Sequence, residues 1–181
     1  MVRRSSRLFV IEQLLANGVL KAYHLAKTSP FANSTVYYVL EKLEREGCVV
    51  FSDGFYLPTF KCALEYYQIA GCGEVLLTYF KRLLGEYADI VTREDVCNLL
   101  CFLAKSGASG RSVVSAVIDA IGGSLSDISK IPKDVAKIFA ATIAASSNYL
   151  DDVHKGVIIG DVFIGYCKIC GLTLAPCPRI R

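Results

Sequence analysis

Tryptophan is absent from this 181-residue chain, methionine occurs once and histidine twice. Glutamine appears only at 13 and 68, and asparagine only at 17, 33, 98 and 148. Scarce thermolabile side chains lean toward a thermophile. Long apolar runs are also missing. The longest uncharged stretches are Ile138 to Leu150 and Val153 to Tyr166, and the second is interrupted by Lys155 and Asp161. Neither reaches the roughly 20 apolar residues that a membrane span requires. The opening Met1-Val2-Arg3-Arg4-Ser5-Ser6-Arg7 is basic but is followed by a helical pattern instead of a long apolar core with a cleavage site. The expectation is a soluble, cytoplasmic protein.

Charge of one sign is lacking too. The net charge is +3, with +2 over residues 1–60 and +1 over the rest, which excludes a strongly basic nucleic-acid coating protein. No Ser-His-Asp, Cys-His or Gly-x-Gly-x-x-Gly arrangement stands out. Gly107-Ala108-Ser109-Gly110-Arg111-Ser112 lacks the Lys and the spacing of a P-loop. An enzyme is therefore not expected.

What the chain does have is apolar content of 53%, enough to exclude disorder, and a length that fits one large domain or two small ones. The most informative stretch runs from Ala22 to Leu57. Ala22-Tyr23-His24-Leu25-Ala26-Lys27 reads as a short helix, and Thr28-Ser29-Pro30-Phe31-Ala32 breaks it because proline removes a donor and restricts the residue before it. Asn33 or Ser34 offers an N-cap oxygen to a second helix. Val36, Leu40 and Leu43 fall at i, i+4 and i+7 as one apolar stripe, and Gly47 suits a left-handed helix end. Cys48 to Phe51 and Phe55 to Leu57 then read as two strands around Ser52-Asp53-Gly54, a tight-turn signal. Upstream, Ser5 or Ser6 can cap a helix whose stripe is Leu8, Ile11, Leu14 and Leu15, ended by Asn17-Gly18.

The pattern Ala-Tyr-x-Leu-Ala-Lys, a short gap, Ser-Thr-Val-Tyr-x-x-Leu-x-x-Leu-x-x-x-Gly-x-Val and a hairpin resembles the winged helix-turn-helix domains of PadR, TrmB and MarR proteins. The resemblance covers roughly Ser5 to Thr59. It implies three helices plus a β-hairpin, insertion of the second of the paired helices into the DNA major groove, and two copies reading two half-sites. The residues it places toward double-stranded DNA are Asn33, Ser34, Thr35, Tyr38 and Lys42 on the recognition helix, with Lys27 and the Arg3, Arg4 and Arg7 cluster as sources of phosphate contact. Glu41, Glu44 and Glu46 make the far half of that helix acidic, and the wing tip carries no Lys or Arg. The two readings are a sequence-specific transcriptional regulator and a winged-helix adaptor that contacts protein instead of DNA.

Beyond Pro58 the periodicity predicts helices over 60–70, 74–87, 93–105, 112–121 and 133–150, with Thr92 and Asp95 as a capping box and Pro132 at a helix start. Residues 74–88 and 133–150 are the apolar helices expected to hold a homodimer together. Residues 157–166 are rich in β-branched and aromatic side chains and predict one or two short strands. The expected architecture is mainly α: a winged helix over 1–59, a helical dimerisation or effector domain over 60–150, and a small Cys-containing β tail over 151–181.

The tail holds Cys167-x-x-Cys170-Gly171, with Cys177 beyond and His154 before. Two thiolates on one tight turn can fill two corners of a tetrahedral structural zinc site, with Cys177 and His154 as further ligands. A disulfide within the pair, or simply buried thiols, are the other readings, because zinc ribbons bring a second Cys-x-x-Cys and this chain does not.

Overall fold

The computed structural model describes residues 5–176. The chain divides into two compact units, residues 1–79 and 80–181.

In the first unit, α1 (Ser6–Asn17) begins where the Ser5 hydroxyl accepts the Leu8 N–H at 3.2 Å and ends at Gly18, whose φ of 85° closes the last turn. A two-residue bridge follows, in which Leu20 and Tyr56 exchange backbone hydrogen bonds of 3.1 and 2.8 Å. Next come α2 (Ala22–Thr28), α3 (Asn33–Arg45) and a hairpin of β1 (Val49–Ser52) and β2 (Phe55–Pro58), paired from Val49 opposite Pro58 to Ser52 opposite Phe55. The turn places Asp53 and Gly54 at φ of 54° and 83°, the paired positive angles of a two-residue hairpin turn. Helix α4 (Phe60–Ala70) packs back on α1. Phe9, Ile11, Leu14, Leu15, Leu25, Val36, Leu40, Leu43 and Phe60 form the core between these helices. The division between units falls inside α5 (Glu74–Leu84).

In the second unit the capping box forms as its spacing dictates. The Thr92 hydroxyl accepts the Asp95 N–H, and the Asp95 carboxylate accepts the Thr92 N–H, opening α6 (Arg93–Ser106). Then come α7 (Val113–Ala120) and α8 (Lys133–Ser146). Strands β3 (His154–Ile159), β4 (Val162–Cys167) and β5 (Gly171–Ala175) form an antiparallel sheet in the order β3-β4-β5. Helix α8 touches α6, α7 and all three strands. Its buried Ala140, Ala141 and Ala144 let these neighbours come close, while Val135, Ile138 and Phe139 fill the space between.

The expectation of a mainly α fold is corrected here. Helix accounts for 58% of the described residues, which also form antiparallel sheets of two and three strands, so the fold is a mixture of α and β. The expected β tail is a complete sheet seated on α8. Its third strand was hidden because Gly171-Leu172-Thr173-Leu174-Ala175 is short and has a single β-branched residue, Thr173. Helix α8 also stops at Ser146, four residues before the expected end. Its apolar residues are buried inside its own unit, so they are not available to hold two copies together.

Gly156 and Gly165 face each other across β3 and β4. A Cβ on Gly156 would run into the Ile164 carbonyl oxygen, and one on Gly165 into that of Lys155. Gly165→Ala is expected to destabilise the protein by about 1–3 kcal/mol, the usual cost of overpacking. Gly73→Ala, where an added Cβ meets nothing within 4 Å, should change stability little. Urea denaturation of the two variants checks the difference.

Candidate nucleic-acid interface

Helix α3 buries Val36, Val39, Leu40 and Leu43 and so presents the opposite side to solvent. Two exposed stripes result from the 3.6-residue period. Ser34, Tyr38 and Lys42 lie at i, i+4 and i+8 and are all exposed, Tyr38 by 60%. Tyr37, Glu41 and Glu44 form the second stripe, also exposed. This second stripe lies toward the hairpin: burial, followed by the charges of Glu44 and Glu41, raises the pKa of Tyr56 on β2. Tyr56 in turn meets Phe51 with ring centroids 4.8 Å apart.

The expected N-cap is different in detail. Helix α3 starts at Asn33, so Asn33 and Ser34 are its first two helical residues, and Ala32 occupies the cap position with no side-chain cap. Proline 30 and the extended Ser29 and Ala32 shift the start one residue upstream of where a capping oxygen would be used. Both side chains are exposed at the open end of the helix, where the first N–H groups and the helix dipole favour an anion. Thr35 is only half-exposed. Lys27, at the end of α2, is exposed, as are Lys21 and His24. No acidic residue occurs between Glu12 and Glu41. The surface of α2 and the first half of α3 is therefore neutral to basic, and acid begins beyond the middle of α3.

The three N-terminal arginines separate. Arg3 and Arg4 lie outside the described residues. Arg7 is turned into the unit: Nε and Nη2 donate to the two carboxylate oxygens of Glu65 at 2.5 and 2.7 Å, and Nη2 also donates to Glu46 at 2.5 Å. The Cys48 thiol donates to Glu65 at 3.5 Å. Arg7 thus ties α1 to α4 and to the residue just after α3 instead of facing a phosphate. Its guanidinium is held more firmly protonated than usual, chiefly by the Glu65 hydrogen bond. The Glu65 carboxyl is held below the ordinary range, chiefly by Arg7. Burial, then Glu65, pushes the Cys48 thiol up to about 11. This cluster went unseen because its members are 58 and 39 residues apart in sequence, with no local pattern to announce them.

Among the described residues, Glu46, Cys48 and Glu65 are the group of three whose ligand atoms come within 4.8 Å of one another. The guanidinium of Arg7 already supplies the positive charge there, so the cluster is an ion-pair network. The zinc set proposed on sequence does not close in the same way. His154 and Cys167 are directly opposite in the β3–β4 ladder and share a sheet face. The His154 ring is buried, its Nδ1 lies 2.8 Å from Asp151, and its edge meets Phe163. Asp151 also accepts the Val153 and His154 N–H groups at 2.7 Å each. Its carboxyl is lowered to about 2 by the His154 ring first and these N–H groups second. Cys167 is buried and Cys170 exposed. Cys177 lies outside the described residues. The described donors do not make a four-ligand centre.

The depressed Glu65 has a consequence for stability. A carboxylate with a lowered folded pKa stabilises the folded state fully above its unfolded value, about 4.3, and this contribution is lost as pH falls through the lower folded value. Glu65→Gln should cost about 1.5–3 kcal/mol at neutral pH, the range for charged hydrogen bonds. It should also make the loss of stability below pH 4.5 shallower. Urea midpoints between pH 3 and 7 test both.

Comparison with known protein families, characterised proteins and solved structures returned no match.

Proposed function

We propose that the first unit is a winged-helix module that binds double-stranded DNA and that the protein is a cytoplasmic transcriptional regulator without catalytic activity, acting as a homodimer on paired half-sites. The observation that carries this reading is the open start of α3, where exposed Asn33 and Ser34 stand free of any capping role, within a 28-residue stretch lacking acid. A helix of α3's width fits the major groove. Asn33 and Ser34 are of the residue types that pair with base edges, Asn with adenine above all. Tyr38 lies beside them on the same stripe, where its ring can pack on a thymine methyl or a sugar. Lys27 from α2 and Lys42 from the following turns of α3 reach the phosphates on either side. Arg7 serves this surface indirectly, by fixing α3 on α1 and α4. That no helix among the described residues is long and apolar enough to cross a membrane agrees with a protein that meets DNA.

A second reading rests on the other stripe. Tyr37, Glu41 and Glu44 next to Tyr56 and Phe51 make an aromatic, acidic strip that would repel phosphate and suits a basic protein partner. It predicts that the module is an adaptor.

The two are separated by substitution. Under the DNA reading, Lys27→Ala with Lys42→Ala should weaken binding to all duplexes alike and reduce the salt slope by about 2, near 0.9 per lost phosphate contact. Asn33→Ala should cost about 1–3 kcal/mol on a selected site and little on random duplex. Fluorescence anisotropy over a salt series checks both. Variants that bind duplex DNA as the parent chain does would contradict this docking.

A further inference from the structure

The second unit contains a hollow to which the DNA reading gives no role. Between α7 and α8 the chain makes a short 3₁₀ turn over Leu125–Lys130, and the Ile131 N–H donates to the Ile128 carbonyl at 3.2 Å. With three residues per turn, Ile128 and Ile131 lie on one side, and both are buried. Pro132 then opens α8 with no side-chain cap, and Lys133 and Ala136, three apart, share a side of that helix. In the sheet, Leu174 on β5 is opposite Ile164 on β4, so Val162, two residues before Ile164, lies diagonal to Leu174 on the same face. These three pieces surround an open cavity of about 330 Å³ lined by Ile128, Ile131, Ala136, Val162 and Leu174. Lys133 is the one charged residue on its wall among the described residues.

We propose that this cavity binds a medium-chain aliphatic carboxylate, with the chain among the branched side chains and the carboxylate on Lys133. The volume stands at the small end of the range for ligand pockets, about 300–1,000 Å³, which suits a small molecule and not a segment of protein. No aromatic ring occurs among the described lining residues, so a flexible chain packs there and a flat ring finds nothing to stack on. No acid lines the cavity among the described residues either. Asp127 is paired with Lys130 at 2.9 Å, and Asp134, exposed beside Lys133, is not on the wall. Lys133 is exposed and is the first residue of α8, so its ammonium stands at the water's edge and at the helix end whose dipole also favours an anion. One ammonium matches a monoanion. A phosphate ester, with more charge and more acceptor oxygens, would call for more donors than this wall carries. The space itself is owed to Ala136, where a longer side chain would fill it to the density usual in protein interiors. The site lies in the second unit, so it stands independently of the DNA reading.

The test titrates octanoate, kept below its micelle threshold, into the whole chain by isothermal titration calorimetry, with 1-octanol and octylammonium as probes of equal chain length. The expected result is one saturable octanoate site per chain, with octanol weaker and octylammonium weakest. Lys133→Gln, a change at an exposed position, should weaken octanoate about fivefold, the upper end for an exposed ion pair, and leave octanol binding as it was. Ala136→Leu should abolish octanoate binding while the urea midpoint stays at that of the parent chain or rises. Lys133→Gln decides the case if Ala136→Leu does not fold. Absence of a saturable octanoate site overturns the proposal, as does octylammonium binding equal to that of octanoate. Octanoate binding unchanged in Lys133→Gln, or in folded Ala136→Leu, overturns it also.

Discussion

One charge joins three helices of the first unit. Arg7 sits where α1, the end of α3 and the middle of α4 meet, and its guanidinium binds Glu65 through two parallel hydrogen bonds and Glu46 through a third. Apolar packing of Val36, Leu40 and Leu43 buries α3 against its neighbours. The planar fork of arginine sets α1 on α4, because its bidentate pair with Glu65 tolerates little change in angle, and one further bond to Glu46 ties the end of α3 to that frame. With α3 fixed at its C-terminal end, its N-terminal end, the Ser34–Tyr38–Lys42 stripe and the hairpin all take defined places. The interaction is partly buried, so it is worth more than a surface pair. Removing Arg7 would leave both carboxylates without their counter-charge.

The same arrangement sorts charge over the first unit. Arg7 offsets half of the charge of Glu46 and Glu65, which lie away from the start of α3. Glu41 and Glu44 are confined to the stripe beside Tyr56. What is left at the start of α3 and along α2 is uncharged or basic.

How much of this was legible beforehand follows the range of each interaction. Helices α1 to α7 and the hairpin came through periodicity, caps and turn residues acting within a few positions, and the Thr92–Asp95 box formed where its spacing put it. The three-stranded sheet was only half legible. Val157 to Tyr166 announces strands by its β-branched and aromatic residues, whereas β5 owes its existence to pairing with β4 and to the Cys167–Gly171 reversal. Among the expected DNA-facing residues, Lys27, Asn33, Ser34, Tyr38 and Lys42 are exposed, Thr35 half so. Arg7 alone among the described ones is turned inward, and nothing within four residues of it in sequence could show that, because its partners are on α4 and after α3. His154 and Cys167 meet across β3 and β4 through strand register, which their spacing in sequence does not give.

Double-stranded DNA binding through α3 is the central claim, and its most direct test is a gel shift of the whole chain on fragmented DNA from its own source genome, at low and at moderate salt. The account expects a subset of fragments to remain bound at moderate salt while bulk fragments are released, with Asn33→Ala losing that selectivity. Release of every fragment together, or no shift at low salt, would contradict it and leave the aromatic, acidic strip beside the hairpin as the working surface of this unit.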